Sequence, residues 1–245
     1  MTSVSVIIPV VNEVKTIAQT LAQLNSDRPI EIIVVDGGSQ DGTWEYLQTL
    51  DLKAISAPKG RAHQMNAGAA IASGDILMFL HADTRLPAGF DSLAIQALAQ
   101  PGTLAGAFTL AIDDPSWLLR WIEKGVNARS RLLQLPYGDQ ALFLKAAIFE
   151  QLGGFPQQAF MEDFEFIRRL RRQGHIAIVP TPVLTSARRW QALGVWKTTI
   201  VNQGAIAAYL GEFNPNGLPN GIAASVNFYS EALIAWRRRA STCSI

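Results

Sequence analysis

Three short apolar runs near the start of the chain constrain its fold most strongly. They cover residues 4–11, 30–35 and 75–80, and each stops at a polar residue or a glycine. Runs this short and this apolar are typical of strands buried on both faces. Segments with helical spacing lie between them, at residues 13–24, 43–50 and 61–72. Strands that alternate with helices predict βαβ units, and therefore an α/β fold with a mostly parallel sheet flanked by helices.

The second half of the chain continues this pattern and ends in helical segments. Strands are predicted at 103–112, 141–145 and 175–184, and helices at 115–133, 146–152 and 162–173. Pro180 and Pro182 place the strand at 175–184 at an edge, because proline donates no ladder hydrogen bond. Helical patterns at 194–210 and 222–238 close the chain. We therefore expect a core at residues 1–190 and a helical C-terminal extension of the same domain at 191–245.

Composition argues against several classes of protein. The formal net charge is +1, so no broad basic surface indicates a nucleic-acid partner. The lone cysteine, Cys243, can form no internal disulfide, which fits a reducing compartment. No secretory signal pattern follows Met1, and no apolar run reaches the roughly 18 residues of a membrane-spanning helix. We expect a cytoplasmic protein, with peripheral attachment to the inner face of the cell membrane left open.

Polar residues follow the first three predicted strands. Asn12 and Glu13 follow the first strand, Asp36 the second, and His81 and Asp83 the third. Parallel strands end at a common edge where ligands bind, so these side chains are expected to share one rim. Asp36 can bind a ribose or a base edge, or can simply hold its own turn. Asp83 beside a diphosphate suits Mg²⁺ or Mn²⁺, which prefer oxygen ligands.

Two acids, Glu162 and Asp163, open the predicted helix at 162–173. One interpretation is structural, because acids in a first turn complement the helix dipole. The other is a general base, because a positioned carboxylate can take the proton of a hydroxyl as that hydroxyl attacks.

Taken together, these motifs resemble those of the family-two nucleotide-sugar glycosyltransferases, which have the GT-A fold. The ordered set extends over roughly residues 4–172. The combination of Gly-Arg-Ala-His-Gln-Met-Asn at 60–66 with Leu-His-Ala-Asp-Thr at 80–84 is similar to a little-characterised bacterial branch of the family. The matching segments are residues 4–13, 34–43, 60–68, 74–75, 142–143, 153–155 and 162–163.

The resemblance implies a role for each matching residue. Asp83 would hold Mg²⁺ or Mn²⁺, and Asp163 would be the base of an inverting transfer. A nucleoside diphosphate sugar, with a UDP-sugar favoured over a GDP-sugar, would contact Pro9, Val11, Glu13, Asp36, Arg61, Ala82, Asp83 and Arg188. The acceptor or sugar pocket would contain Asp139, Glu162 and Trp190.

Two positions leave alternatives open. His81 stands where the family usually has a first Asp, and its imidazole either replaces a ribose contact or fills space. Arg188 either contacts the leaving diphosphate, for which a guanidinium is suited, or belongs to a surface Arg pair beside a packing Trp.

Two other functions share several of these features. A nucleotidyltransferase would normally carry a Gly-rich basic loop after the first strand, where this chain has Asn-Glu-Val-Lys at 12–15. A nucleotide-sugar-binding protein without activity would not need Asp163.

Helical segments with Trp and Arg suggest further partners. Trp117 and Trp121 lie one turn apart, and Trp236 precedes three arginines at 237–239. Such faces suit a membrane surface and a lipid-linked acceptor. They suit packing against the core, or a homodimer, equally well, and the periodicity does not choose between these alternatives.

Overall fold

A computed structural model describes residues 2–26, 28–158 and 161–194. The chain divides into two compact units, Met1–Ser186 and Ala187–Ile245. The strands are β1 (Val4–Val10), β2 (Ile30–Asp36), β3 (Lys53–Ser56), β4 (Ile76–Phe79), β5 (Thr84–Arg85), β6 (Thr103–Asp113), β7 (Phe143–Lys145) and β8 (His175–Ser186). The helices are α1 (Val14–Ala22), α2 (Thr43–Leu47), α3 (Arg61–Ala70), α4 (Phe90–Leu98), α5 (Trp117–Leu133), α6 (Ala146–Gln151), α7 (Glu162–Gln173) and α8 (Arg188–Leu193), with a 3₁₀ turn at Gly138–Gln140.

The first unit is built on one eight-stranded sheet with the order β3-β2-β1-β4-β7-β6-β8-β5. The N-terminal half is parallel, since β1 pairs with β2 and β4 and β2 pairs with β3. The strand β7 is antiparallel to both of its neighbours, β4 and β6. Because β1, β2 and β4 run in one direction, the residues that follow them meet at one edge. The predicted α/β architecture with flanking helices is therefore confirmed.

The prolines of β8 have the structural effect expected of them. Val179 pairs with Phe108 and Pro182 with Thr109, so two residues of β8 bulge out between those pairs. Thr109 Oγ1 donates to the carbonyl of Pro180 at 2.8 Å and closes the bulge. The short strand β5 pairs only with the end of β8. Among the described residues, the rest of β8 therefore lies at an edge of the sheet, as its prolines predict.

The two predictions for the C-terminal helices have different outcomes. The helix predicted at 194–210 is wrong at its start, because α8 ends before Gly194, whose φ of 84° favours glycine. The remainder of that segment, and the helix predicted at 222–238 with Trp236, lie outside the described residues. No described helix is long and apolar enough to cross a membrane.

Helix α3 packs tightly on the sheet beneath the rim. A Cβ on Gly68 would lie 2.5 Å from Ile7 Cγ2 and 3.0 Å from Val35 Cγ2, so the helix approaches β1 and β2 more closely than alanine would permit. Phe79 and Phe155 pack edge to face with ring centroids 4.8 Å apart, and two more buried phenylalanines, Phe149 and Phe166, extend the cluster. These packed aromatic rings support the edge of the sheet.

Candidate functional site

The ends of β1 and β2 are joined by hydrogen bonds from their own loops. The N–H groups of Gly38 and Ser39 donate to Asp36 Oδ2 at 2.8 and 3.0 Å. The Ser39 hydroxyl accepts the Asn12 N–H at 2.9 Å and donates to Asp36 Oδ1. The carboxylate of Asp36, 3% exposed, is thus engaged with its own turn. The structural interpretation of Asp36 accounts for these contacts, and a nucleoside contact remains a prediction.

Helix α3 carries a buried amide that sequence reasoning missed. Gln64 Nε2 donates to the carbonyls of Val10 and Val35, both at 2.8 Å, and so ties α3 to the ends of β1 and β2. A Cβ on Gly37 would lie 2.9 Å from the same amide. The motif at 60–66 marked this segment in the sequence. The periodicity of a helix, however, does not reveal which of its side chains bonds to a backbone carbonyl.

A cleft at this edge brings together residues from both halves of the chain. Pro9 of β1, Arg61 of α3 and the pair Glu162 and Asp163 of α7 line it, together with His81 and Gly138. Phe79, Leu80, Met65, Leu142 and Phe155 form the apolar part of its lining. Four of the predicted site residues, Pro9, Arg61, Glu162 and Asp163, therefore line one cavity. Pro9 and Asp163 are more than 100 positions apart in the sequence.

Arg61 and Glu162 form an ion pair in the cleft. Arg61 Nε lies 2.6 Å from Glu162 Oε1, and the Glu162 side chain is only 4% exposed against 46% for Arg61. Burial lowers the pKa of Arg61, but the charges of Glu162, Asp163 and Asp139 outweigh it, so the pKa lies above its usual value. Arg61 is therefore a fixed positive charge at the cleft, and Glu162 is the anion that holds it there.

The carboxylate of Asp163 is held by two backbone groups. The Gly138 N–H donates to Oδ2 at 2.9 Å, and the Phe164 N–H donates to Oδ1 at 2.8 Å. Each carboxylate oxygen has two lone pairs, so both keep capacity to accept a further proton or hydrogen bond. The position of Asp163 is thus fixed by the start of α7 and by the 3₁₀ turn.

His81 lies in the lining of the cleft among charged residues. Burial and the nearby charge of Arg61 lower its pKa, and the acids Asp83, Asp139 and Asp163 oppose that shift without cancelling it. A Cβ on Gly138 would lie 3.1 Å from His81 Nε2, so the imidazole packs against the turn that holds Asp163. This contact is consistent with the space-filling alternative, and a ribose contact stays a prediction.

A second side-chain amide, that of the partly buried Asn66, fixes the loop at Phe155. Asn66 Nδ2 donates to the carbonyl of Phe155 at 2.8 Å, and Asn66 Oδ1 accepts the N–H of the same residue at 2.9 Å. A Cβ on Gly154, whose φ is 70°, would lie 2.7 Å from Asn66 Oδ1. Asn66 therefore leaves no room for a side chain at position 154, which accounts for glycine in the Gly-Gly-Phe segment at 153–155.

Positive backbone φ angles occur next to several segments of the site. Among the described residues, four that are not glycine have a positive φ: Asn12, Gln134, Ala141 and Met161. Asn12 follows β1, Ala141 precedes the cleft residue Leu142, and Met161 precedes Glu162. Such conformations cost on the order of 1–3 kcal/mol each and cluster at functional sites.

Asp83 lies just beyond β4, and its role as a metal ligand remains a prediction. Its carbonyl accepts the Ser186 N–H at 3.1 Å, which fixes the chain at this point. No group of three or more His, Cys, Asp or Glu side chains in the described residues could hold a metal unaided. Mg²⁺ and Mn²⁺ commonly take one or two protein oxygens and complete their shell with phosphate and water. The residues therefore fit an ion shared with a diphosphate.

The other predicted site residues lie outside the lining of the cleft. Val11 packs toward Gly37, and the carboxylate of Glu13 accepts the hydroxyl of Thr16 in its own helix. The carbonyl of Ala82 accepts the Thr20 hydroxyl at 2.6 Å. Asp139 lies in the 3₁₀ turn beside Gly138.

Two of the predicted site residues belong to the second unit. Arg188 and Trp190 are on α8, within Ala187–Ile245. Their roles in the site remain predictions.

Residues 5–155 match the family model described as glycosyl transferase family 2. The chain belongs to this family. A probable glycosyltransferase of Bacillus subtilis, YdaM, is 27% identical over 74% of this chain and 49% of its own length. An undecaprenyl-phosphate 4-deoxy-4-formamido-L-arabinose transferase of Pseudomonas aeruginosa is 31% identical over 58% of this chain and 46% of its own length. The chain thus spans about half the length of these curated relatives.

Solved structures of glycosyltransferases share the fold. The mannosyltransferase PcManGT of Pyrobaculum calidifontis, in complex with GDP-Man and Mn²⁺, aligns with a TM-score of 0.62 and 22% identity over 99% of this chain and 76% of its own. Residues 1–349 of S. aureus TarS in complex with UDP align with a TM-score of 0.60 and 18% identity over 76% of this chain and 60% of that one. The GT-A architecture expected from the motifs is confirmed.

Proposed function

We propose that this chain transfers a sugar from a nucleoside diphosphate sugar to an acceptor hydroxyl, with inversion at the anomeric carbon. The observation that carries the proposal is the placement of Asp163, anchored by the Gly138 N–H at 2.9 Å in a cleft with Arg61 and His81. Membership of family 2 supports it. The GDP-Man, UDP and Mn²⁺ bound by the structural neighbours support a nucleotide-sugar donor and a divalent ion.

The reaction is a single displacement. The acceptor oxygen bonds to the anomeric carbon, the bond from that carbon to the diphosphate oxygen breaks, and the hydroxyl proton passes to Asp163. Attack on the face opposite to the leaving group inverts the configuration. The two backbone N–H groups that hold Asp163 orient the carboxylate, and orientation of this kind accounts for much of a base's contribution.

Positive charge in the cleft suits the leaving diphosphate. Arg61 is half-exposed beside its partner Glu162, so its guanidinium keeps N–H groups that this ion pair does not use. Mg²⁺ or Mn²⁺, held by Asp83, would neutralise the charge that develops on the diphosphate. The elements that carry Arg61 and Asp83 both reach the carboxyl edge of the sheet, where nucleotides bind in folds of this kind.

Product identity tests the proposal and separates it from its alternatives. The protein is incubated with UDP- and GDP-hexoses and Mn²⁺, and phosphorus NMR follows the products. Release of a nucleoside diphosphate at a rate above the protein-free control is the expected result. Release of pyrophosphate would indicate a nucleotidyltransferase instead, and tight donor binding without turnover, across a panel of sugar, lipid and small-molecule acceptors, would indicate a binding protein.

We further propose that the outer face of α5 contacts an anionic membrane surface and brings the protein to a lipid-linked acceptor. Trp117 and Trp121 are 68% and 66% exposed, so these rings are not packed on the core. Lys124 Nζ lies 5.1 Å from the Trp121 ring centroid, and Arg131 follows two turns later on the same face. The exposed residues of α5 include no acid. The lipid-linked substrate named for the Pseudomonas relative supports the same partner.

A further inference from the structure

We infer that Arg129 and Tyr137 form a subsite for an oxyanion on the acceptor, beside the hydroxyl that Asp163 deprotonates. The inference rests on the proposed function and deepens it, because it assigns a chemical class to the acceptor. Neither residue was singled out for this role by the sequence motifs, and neither contributes to the transfer step described above.

Two contacts fix the Arg129 side chain. Its Nε donates to the carbonyl of Leu135 at 3.0 Å, and its Cζ lies 3.4 Å from the centroid of the Tyr137 ring. Its Nη2 is shielded from solvent and has no hydrogen-bond partner among the described residues. The guanidinium is thus a positioned donor with an unused N–H group, and it forms no ion pair within the described part of the chain.

Tyr137 supplies a second donor and connects the subsite to the base. Its ring packs edge to face on Phe164, with centroids 6.2 Å apart, and Phe164 is the residue after Asp163. On the other side, Tyr137 precedes Gly138, whose N–H holds Asp163. The Tyr137 hydroxyl is also shielded from solvent and without a partner among the residues described. Both donors therefore adjoin the structure that positions Asp163.

Burial of the Arg129 guanidinium favours an anionic partner at this place. Burial lowers the pKa of Arg129, although the tyrosine and the acids Asp139 and Asp163 act in the opposite direction. The negative charge supplied by the protein does not compensate the desolvation of the guanidinium. A ligand oxyanion would supply the missing charge and would pair donors that are costly to leave unpaired.

The donor geometry sets the class of ligand. A guanidinium presents planar N–H groups that match phosphate and carboxylate oxygens, and a phenol adds one further O–H donor. The acceptor is therefore a molecule with a hydroxyl next to an anionic oxygen group. That group can belong to a soluble phosphorylated molecule or to a lipid phosphate, and both sources share the same recognition chemistry.

Calorimetry with inorganic phosphate tests the subsite. The protein is first saturated with UDP and Mn²⁺, so that phosphate cannot report binding at the diphosphate position. We expect Arg129→Gln to weaken phosphate binding by at least about tenfold and Tyr137→Phe by about threefold, as expected for a charge-assisted and a neutral hydrogen bond. Arg172→Gln, at an exposed arginine in the last turn of α7, is the control and should bind as the wild type does.

The phenylalanine variant keeps the ring on which Arg129 stacks, so it remains informative if Arg129→Gln fails to fold. Absence of phosphate binding by the UDP-loaded wild type, or equal binding by Tyr137→Phe and the wild type, would overturn the inference. Failure of the proposed function is distinguishable, because UDP and Mn²⁺ would then not bind in the first step. The same titration of the nucleotide-free protein, comparing the two variants with wild type, decides the inference in that event.

A vesicle arm distinguishes the two sources of the oxyanion. Flotation is compared on vesicles that contain phosphatidic acid, a phosphomonoester, and on vesicles that contain phosphatidylglycerol at equal surface charge. If Arg129→Gln lowers flotation on phosphatidic acid alone, the oxyanion is reached from the membrane. If it weakens inorganic phosphate binding without changing flotation, the acceptor is soluble.

Discussion

Gly138 and Asp163 are joined by a backbone N–H to carboxylate hydrogen bond of 2.9 Å, and a Cβ on Gly138 would lie 2.9 Å from the same carboxylate oxygen. The glycine thus both holds the proposed base and leaves room for it. Gly138→Ala should displace Asp163, with a smaller effect on His81, whose Nε2 would be 3.1 Å away. Because small misplacements of a catalytic group cost up to about 100-fold, we expect kcat to fall by about that factor while the protein remains folded.

Gly125→Ala is the matched control for this substitution. Gly125 lies on α5, and nothing is within 4 Å of a Cβ built there. Alanine should leave kcat unchanged and raise stability by about 0.5–1 kcal/mol, since glycine is unfavourable inside a helix. Equal kcat for Gly138→Ala and Gly125→Ala would show that the turn does not position the reacting group.

Asp163→Asn tests the base directly. The amide keeps the shape of the side chain but cannot take the acceptor proton, so we expect the transfer rate to fall by about 10²- to 10⁴-fold. Donor binding, measured by calorimetry, should persist. Asp51→Asn, at an exposed acid outside the cleft, should retain the wild-type rate. Near-normal transfer by Asp163→Asn would exclude it as the base and move attention to Glu162 or Asp139.

Asp83→Ala tests the metal. The wild type should bind UDP more tightly with Mn²⁺ than without it, because Asp83 would hold the ion beside the diphosphate. In the variant that gain should disappear, while metal-free UDP binding stays close to the wild-type value. The measurement is the ratio of the two dissociation constants, with Asp51→Ala as control. An undiminished ratio in Asp83→Ala would remove Asp83 as the ligand.

The sequence predicted the framework of the fold because its signals are local. The strands β1, β2 and β4 are short buried runs with turn residues at their ends, and α7 has the bounds predicted for it, 162–173. Helix α4, at Phe90–Leu98, was not predicted. Its apolar residues follow Pro87 and Gly89 closely, and no start signal in the pattern separated it from the loop.

The contacts that build the candidate site are long-range, and this is why the sequence could not supply them. The hydrogen bond from Gly138 to Asp163 joins residues 25 apart, and those from Asn66 to Phe155 join residues 89 apart. Local patterns placed Asp163 at the start of a helix but gave no reason for the adjoining turn. Arg129 and Tyr137 each looked ordinary in sequence, because their unpaired donors become apparent only when the two side chains are stacked.

Glu31 gives a stability prediction that depends on pH. Burial alone would raise its pKa, but hydrogen bonds from Lys53, Ser5 and Ser73 outweigh burial and lower the pKa from 4.5 to about 2. A carboxyl with a lowered folded-state pKa stabilises the fold above its unfolded pKa, and that contribution is lost as the pH falls from about 4.5 to about 2. Because Lys53 is half-exposed and solvent screens the pair, we expect a contribution of about 1 kcal/mol at neutral pH.

Chemical denaturation of Glu31→Gln at several pH values checks this. The variant should be less stable than wild type by about 1 kcal/mol at pH 7, and this difference in stability should narrow below pH 4.5. Glu45→Gln, at an exposed acid on α2, should show no such convergence. A gap that is the same at pH 7 and pH 3 would mean that the charge of Glu31 does not contribute.

Flotation with anionic vesicles tests the outer face of α5. Trp117 and Trp121 should enter the headgroup region, and Lys124 and Arg131 should meet anionic lipid, so binding should weaken as salt rises. Replacing both tryptophans by alanine should reduce the floating fraction at low salt at least several-fold, because two exposed aromatic rings supply most of the apolar contact. The floating fraction of wild type on uncharged vesicles gives the baseline.

Charge reversal separates a specific face from a general attraction. Lys124→Glu with Arg131→Glu should abolish flotation, whereas Lys59→Glu with Lys145→Glu, an equal change at two exposed lysines on other elements, should reduce it only slightly. Equal losses in the two double variants would mean that net charge alone drives binding. If the wild type stays in the soluble fraction at low salt, α5 does not bind membranes. The exposed rings would still require a partner, and sedimentation would then test whether a second copy of the chain covers them.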